Sequence, residues 1–252
     1  MDNVKVIING KECIAEKGEL LMDIASRNGI YIPHLCHHES LRGQATCRIC
    51  IVEVMENGKK KIVTSCIFPV VRDIVVETNT EDIINMRKTL FSLLMAEVPG
   101  NETIRSMAEE YGIRENLRFY KSRGNECILC GLCVKACEEL GCNAIATVSR
   151  GTTKKVSTPY EEPSIECIGC GSCASVCPTG CIKIEEGYGK RKIWNREFEM
   201  IKCSVCGKYF ITKEEYDYIN EKCEVLEAPV CKSCKQNEVA KKVLESLMIE
   251  EK

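Results

Sequence analysis

The stretch CILCGLCVKACEEL, which starts at Cys127, places four cysteines as C-x2-C-x2-C-x3-C, and CIGCGSCASVCPTG repeats that spacing from Cys167. Thiolates at these intervals are suited to cubane iron-sulfur clusters. A tight loop turns the first three sulfurs onto one cluster, while the fourth, on the helix that follows, points to the other. Cys127, Cys130, Cys133 and Cys177 are therefore assigned to one [4Fe-4S] cluster, and Cys137, Cys167, Cys170 and Cys173 to a second. Gly131, Gly169 and Gly171 leave room for backbone N–H groups to approach the sulfides, which raises the reduction potential. Pro178 follows the second run, and Glu138 stands in its place after the first without loss of a ligand. A structural zinc ion needs only four thiolates and would leave half of this set idle.

Two further cysteine sets flank this pair. Cys36, Cys47, Cys50 and Cys66 form C-x10-C-x2-C-x15-C, a central C-x2-C with a remote fourth thiolate, which is what a [2Fe-2S] rhomb requires. The three histidines, His34, His37 and His38, all flank Cys36 and are expected to shape or shield that loop rather than bind iron. A Rieske centre would need two histidine ligands in paired motifs. Cys203, Cys206, Cys231 and Cys234 form two C-x2-C knuckles with 24 residues between them. That pattern suits one tetrahedral zinc ion, which would stabilise a segment too short to fold on its own core. A further iron-sulfur cluster is the alternative, with Cys223 as an extra thiol. Cys13, Cys142, Cys181 and Cys223 are left unassigned and read as buried or tolerated thiols.

Four segments must position these sulfurs, in an α+β chain. In residues 1–80, VKVIING and KECIAEKG read as short strands around Asn9-Gly10, and ELLMDIASRNGI as a helix closed by Gly29. CRICIVEVMENGKKKIVTSC reads as a hairpin about Asn57-Gly58, with Lys59 to Lys61 as a solvated tip. Residues 81–124 read as a helical connector: Ile83, Met86, Leu90 and Leu94 keep helical spacing, and Pro99-Gly100 stops the helix. Residues 125–186 hold the two cysteine runs with two short strands between them. Residues 187–252 hold the knuckles and a terminal helix, and GYGKRK from Gly187 reads as a hairpin turn because no helix follows it.

Composition narrows the function. The 252 residues are 44% hydrophobic, yet the longest apolar runs fall far short of the roughly 18 residues that cross a bilayer. MDNVKVIING has no basic region followed by an apolar one, so a cytoplasmic setting is expected, and there 20 cysteines imply metal rather than disulfides. A net charge of -2 leaves no basic footprint for nucleic acid. Neither GxxxxGK[ST] nor GxGxxG occurs, so the chain is not expected to bind a dinucleotide by itself. The expected partner is a protein.

With these residues in view, IPHLCHHESLRGQATCRICIVEV and Cys66 in TSCIFPV resemble the N-terminal [2Fe-2S] domain of the large iron-sulfur chain of NADH dehydrogenase. The same domain occurs in iron-only hydrogenases and in the small diaphorase chains of NAD-linked hydrogenases and formate dehydrogenases. The two cysteine runs resemble the module with two [4Fe-4S] clusters that follows in several of those proteins. The resemblance spans about residues 1–186. It implies a β-grasp [2Fe-2S] ferredoxin domain, the helical connector, a bacterial-type 2x[4Fe-4S] ferredoxin domain and, after them, a small zinc-ribbon-like tail. Relatives carry a His and three Cys between the two cluster domains for an additional [4Fe-4S] cluster. Here no histidine follows His38 and no cysteine lies between Cys66 and Cys127, so that cluster cannot form from this chain. The remaining clusters must then lie closer together or serve separate branches.

The resemblance implies an electron-transfer subunit of a multi-subunit NAD(P)H-linked flavin oxidoreductase complex. The expected partner is its flavin- and NAD(P)-binding subunit, and a link to ferredoxin, hydrogenase or formate dehydrogenase and electron bifurcation are open. The expected cofactors are one [2Fe-2S], two [4Fe-4S] and one zinc. No substrate active site is expected in this chain. The alternatives are a free-standing polyferredoxin-type carrier and a non-redox role in which the metals fold an interaction platform or sense oxygen.

Overall fold

In β1 (Asn3–Ile8), Val4, Val6 and Ile8 alternate with exposed or half-buried neighbours, and in β2 (Lys11–Glu16) Cys13 and Ala15 do the same. Such period-two burial makes a sheet with one face on a core. Asn9 and Gly10 take φ values of 49° and 80°, the left-handed pair that a two-residue hairpin needs. Helix α1 (Leu21–Arg27) lays Leu21, Met22, Ile24 and Ala25 on that core. β3 (Ile51–Glu56) and β4 (Lys59–Thr64) form the second hairpin about Asn57-Gly58. β5 (Ile74–Glu77) enters the middle, parallel to β1 and antiparallel to β3, and gives the order β2-β1-β5-β3-β4. The basic run at the tip is tied across its own hairpin: Lys60 pairs with Glu53 at 2.8 Å, and Lys61 with Glu56.

Two helices follow, α2 (Glu81–Glu97) and α3 (Glu102–Glu110). Thr80 and Asn101 cap them, accepting from the N–H groups of Ile83 and Ile104. The buried stripe of α2 differs from the one its apolar residues suggest. Ile83, Arg87, Phe91 and Met95 face the core, whereas Met86 is exposed and Leu94 half-buried. An arginine occupies a core position, which hydropathy alone reads as surface.

Helix α4 (Leu132–Glu139) carries Cys133 and Cys137 one turn apart. β6 (Ala146–Val148) and β7 (Lys155–Ser157) pair as a two-stranded sheet, and α5 (Ser172–Ser175) is a single turn. β8 (Glu185–Gly187), β9 (Lys190–Ile193), β10 (Arg196–Lys202) and β11 (Tyr209–Thr212) form an antiparallel meander. Tyr188-Gly189 makes the hairpin turn in GYGKRK, and Trp194-Asn195 the next, at φ 51° and 59°. Helices α6 (Lys213–Cys223) and α7 (Lys232–Ile249) complete the chain, α7 starting earlier than the sequence suggested and including Cys234.

This computed structural model describes residues 3–41, 43–115, 119, 126–223 and 228–249; most of the end of the 81–124 segment therefore lies outside the described residues. Contacts divide the chain into two units. One comprises Met1–Ala136, Thr147–Val156 and Ser175–Cys181, the other Cys137–Ala146, Ser157–Ala174 and Ile182–Lys252. Among the described residues no helix is long and apolar enough to cross a membrane.

Candidate metal centres

Cys36, Cys47, Cys50 and Cys66 are all buried in the first unit and linked through their sulfurs. Hydrogen bonds from the Cys47 and Cys66 thiols pull the Cys36 thiol down to about 2, and that from Cys66 pulls Cys50 down to about 6. The thiols that give those bonds, Cys47 and Cys66, are pushed up. The four sulfurs thus form one hydrogen-bonded group with no other ligand type, which matches the donor set of an iron-sulfur rhomb. The Cys47 N–H donates to the Cys36 sulfur at 3.4 Å.

The loop that brings them together is strained and held from outside. Ala45 and Arg48 are left-handed, at φ 52° and 61°, conformations that persist where the surroundings enforce them. A Cβ on Gly43 would fall on the Cys66 carbonyl, so only glycine fits there. The Ile49 and Ile51 carbonyls accept from Arg87, Nε at 3.0 Å and Nη2 at 2.7 Å. Arg87 Nη1 also reaches Asn79 and the Tyr111 hydroxyl. Its guanidinium is wholly buried and donates to two backbone carbonyls of the loop and of β3. His34 holds the Ile32 carbonyl at 2.9 Å and stacks edge-on against His37, which lies 3.7 Å from Asp23.

In the same unit, Cys127 and Cys130 lie on a loop turned by left-handed Leu129 and Gly131, with Cys133 in the first turn of α4 that follows, and the Leu129 N–H donates to the Cys127 sulfur at 3.3 Å. Cys177 belongs to this unit too, whereas Cys137 belongs to the other. Cys130 shares an apolar cluster with Cys36 and Cys47, together with Ile49, Phe91 and Leu132. Gln44 lies over Gly131, its side chain 3.5 Å from where a Cβ would stand. Burial pushes the Cys130 thiol up to about 11, with negative charge at Cys177 and Cys36 adding to the shift.

In the second unit, Cys137, Cys167, Cys170, Cys173 and the unassigned Cys142 line one cavity with Trp194. The Ala144 N–H donates to Cys137 at 3.3 Å, and the Trp194 indole N–H to Cys173 at 3.4 Å. The C-terminal meander grips the loop from behind. Arg196 Nη1 meets the carbonyls of Ser164, Ile165 and Cys167 at 2.7–2.9 Å, Arg191 meets Gly169 at 2.7 Å, and the Thr212 hydroxyl meets Ile168 at 2.6 Å. Gly169 and Gly171 are left-handed, and Cβ atoms there would stand 2.8 Å from the Phe198 ring and from Ile184. These glycines therefore admit close packing as well as the approach of N–H groups.

Cys203, Cys206, Cys231 and Cys234 bring their sulfurs within 4.8 Å of one another, Cys206 and Cys231 being 3.8 Å apart. Four thiolates at about 2.3 Å from a zinc ion stand roughly 3.8 Å apart, so the set fits a tetrahedral ion. Cys203 follows β10 in a knuckle closed by left-handed Gly207, and Cys231 and Cys234 stand at the start of α7. The Cys231 N–H donates to Cys203 at 3.3 Å, which draws that thiol down to about 6. Cys223, exposed at the end of α6, is not in this group.

The reading of the unassigned cysteines as bystanders suits Cys13, which packs in the core beneath the first sheet. Cys142, also buried, lines the second cavity, and the half-buried Cys181 has its sulfur 3.5 Å from that of Cys177. Arg87, Arg191, Arg196 and Trp194 escaped the sequence reading because none lies in a cysteine run. The one available signal was that Trp194 is the only tryptophan.

Comparison with known proteins fits this geometry. A 2Fe-2S iron-sulfur cluster binding domain matches residues 1–81, and a 4Fe-4S dicluster domain matches residues 122–184. The NADP-reducing hydrogenase subunit HndD of Solidesulfovibrio fructosivorans is 30% identical over 219 residues, 75% of this chain and 37% of that protein. The NADPH-Fe(3+) oxidoreductase subunit alpha of Geobacter sulfurreducens is 32% identical over 203 residues, 71% of this chain and 24% of its own length. An NADH-quinone oxidoreductase subunit of Rhizobium meliloti is 30% identical over 81% of this chain and 27% of its own. The chain thus spans about a quarter to somewhat over a third of the length of these curated relatives. A crystal structure of NAD+-reducing [NiFe]-hydrogenase superposes with a TM-score of 0.55 at 29% identity, covering 62% of this chain and 74% of that one. Residues 1–81 and 122–184 thus match a 2Fe-2S domain and a 4Fe-4S dicluster domain, and in this the chain is similar to subunits of NADP-reducing hydrogenase and NADH-quinone oxidoreductase.

Proposed function

We propose that this chain is the iron-sulfur electron-transfer subunit of a multi-subunit NAD(P)H-linked flavin oxidoreductase complex. Cys36, Cys47, Cys50 and Cys66 hold a [2Fe-2S] cluster in a β-grasp domain over residues 1–80. The helical connector over 81–124 joins it to a 2x[4Fe-4S] domain over 125–186. There Cys127, Cys130, Cys133 and Cys177 hold one cubane, and Cys137, Cys167, Cys170 and Cys173 the other. Crossed ligation is supported by the division of the chain, since Cys177 falls in the unit of the first run and Cys137 in that of the second. Residues 187–252 form a zinc-ribbon-like tail with one zinc ion on Cys203, Cys206, Cys231 and Cys234.

When bound, such clusters exchange single electrons with little change of geometry. The chain's own residues fix the thiolates, aim N–H groups at their sulfurs and exclude water. The observation that carries the reading is the apolar cluster that Cys36 and Cys47 share with Cys130, with Gln44 against Gly131. It sets the [2Fe-2S] ligands beside those of the first cubane, so an electron needs no cluster between them. Of the two ways to do without the additional cluster, this shared packing supports centres that lie close together. The names of the relatives support an NAD(P)-linked assembly of several subunits; the partner proposed for this chain is a flavin- and nucleotide-binding subunit, and the proposed setting is the cytoplasm.

The test is to tag the chain, purify it anaerobically from its host and add NADH or NADPH. A flavoprotein should co-elute, and the clusters should be reduced only in its presence. A chain that elutes alone, yet exchanges electrons with ferredoxin-dependent enzymes, would be a free-standing carrier instead.

A further inference from the structure

The site of the first cubane contains five thiols where four are needed. Besides Cys127, Cys130, Cys133 and Cys177, the first unit includes Cys181, whose sulfur stands 3.5 Å from that of Cys177 and within hydrogen-bond reach of Cys127. The turn between them creates this arrangement. The Gly180 N–H donates to the Cys177 carbonyl at 3.2 Å, and Gly180, left-handed at φ 60°, sends the chain back so that Cys181 returns to the side of Cys177. Asn101 at the start of α3 anchors the turn by donating from Nδ2 to the Thr179 carbonyl at 2.8 Å. Thr179 Oγ1 lies 3.5 Å from the Cys177 sulfur. Cys181 is only half-buried, like Cys177, and lies between two sulfurs already assigned to the cluster.

We propose that Cys181 is an alternative ligand of the first cubane, able to take the iron held by Cys177. The proposal rests on the reading of this site as a [4Fe-4S] centre. In the exchange one Fe–S bond to Cys177 breaks and one to Cys181 forms. The proton released by the Cys181 thiol is taken up by the departing Cys177 thiolate across the 3.5 Å contact, so charge and electron count are unchanged. Two thiols reaching one coordination position give the cluster two ligation states in place of one. The fourth ligand of this cubane is therefore not a single point of failure, as a lone Cys177 would be.

The experiment compares the full chain with Cys177→Ala, Cys181→Ala and the double variant, each purified anaerobically. It reads iron and sulfide content and the EPR spectrum of each reduced cluster. Alanine supplies no ligand atom, and the [2Fe-2S] spectrum reports that each variant is folded. Each single variant should keep its full iron content, with Cys177→Ala altering the line shape of the first cubane. The double variant should lose that cubane alone. The proposal is overturned if Cys177→Ala loses the cubane as completely as the double variant, or if Cys181→Ala alone abolishes it. A wild-type chain lacking two cubane signals would instead overturn the reading of the site.

Discussion

The indole of Trp194 offers a direct test of how the tail acts on the second cubane proposed for Cys137, Cys167, Cys170 and Cys173. Its N–H meets Cys173 at 3.4 Å, and the residue is held in a left-handed turn at φ 51° between β9 and β10. A hydrogen bond to a charged acceptor is worth about 1.5–3 kcal/mol. Because the thiolate is present in both oxidation states, only the charge added on reduction alters the bond. If roughly a quarter to a third of that charge reaches one sulfur, the reduced form gains about 0.4–1 kcal/mol, or about 20–40 mV at 59 mV per tenfold change for one electron. Trp194→Phe keeps an aromatic ring and removes the donor. The midpoint of the second cubane should fall by about 20–40 mV, while the other two clusters stay where they were. An EPR-monitored redox titration of the anaerobic chain measures all three. An unmoved second cubane, or a shift in the first, would refute the assignment of Trp194 to that site.

Arg87→Met leaves the Ile49 and Ile51 carbonyls without their buried donor, and the first unit should lose about 3–5 kcal/mol. That appears as a lower thermal midpoint with the [2Fe-2S] absorbance lost first. Gly43→Ala drives a methyl onto the Cys66 carbonyl, so iron analysis should show about two iron atoms fewer per chain. Cys137→Ala should abolish the cubane of the second run, and loss of the first cubane in EPR would contradict crossed ligation. The wild-type chain should hold about ten iron atoms and about one zinc, and fourteen iron atoms without zinc would make the tail site a cluster. Stripping the tail metal with a chelator should destabilise the second cubane selectively, because β9 to β11 hold its loop.

Much of the fold was legible because its signals are local. Asn9-Gly10 and Asn57-Gly58 adopt the left-handed pairs their side chains tolerate, and the strands around them alternate as a half-buried sheet must. The helical spacing that marks α2 does not show which face is buried, because a buried arginine looks like surface until the carbonyls it serves are in place. The terminal meander was read only at its first turn, since β9 to β11 are short and charged and owe their stability to what they cover.

By itself the sequence determined the cysteine sets and the kind of metal they suit. A C-x2-C interval is short enough for backbone geometry to fix where its sulfurs point, whatever the remainder of the chain does. Only the tertiary structure decided what surrounds them: Arg87 beneath one loop, Arg191, Arg196 and Trp194 behind another, Cys181 beside Cys177, and Cys130 in one core with Cys36. Those neighbours come from distant segments or from a turn's direction. They are selected by packing and by the need of buried carbonyls and sulfurs for donors, which leaves no spacing to read.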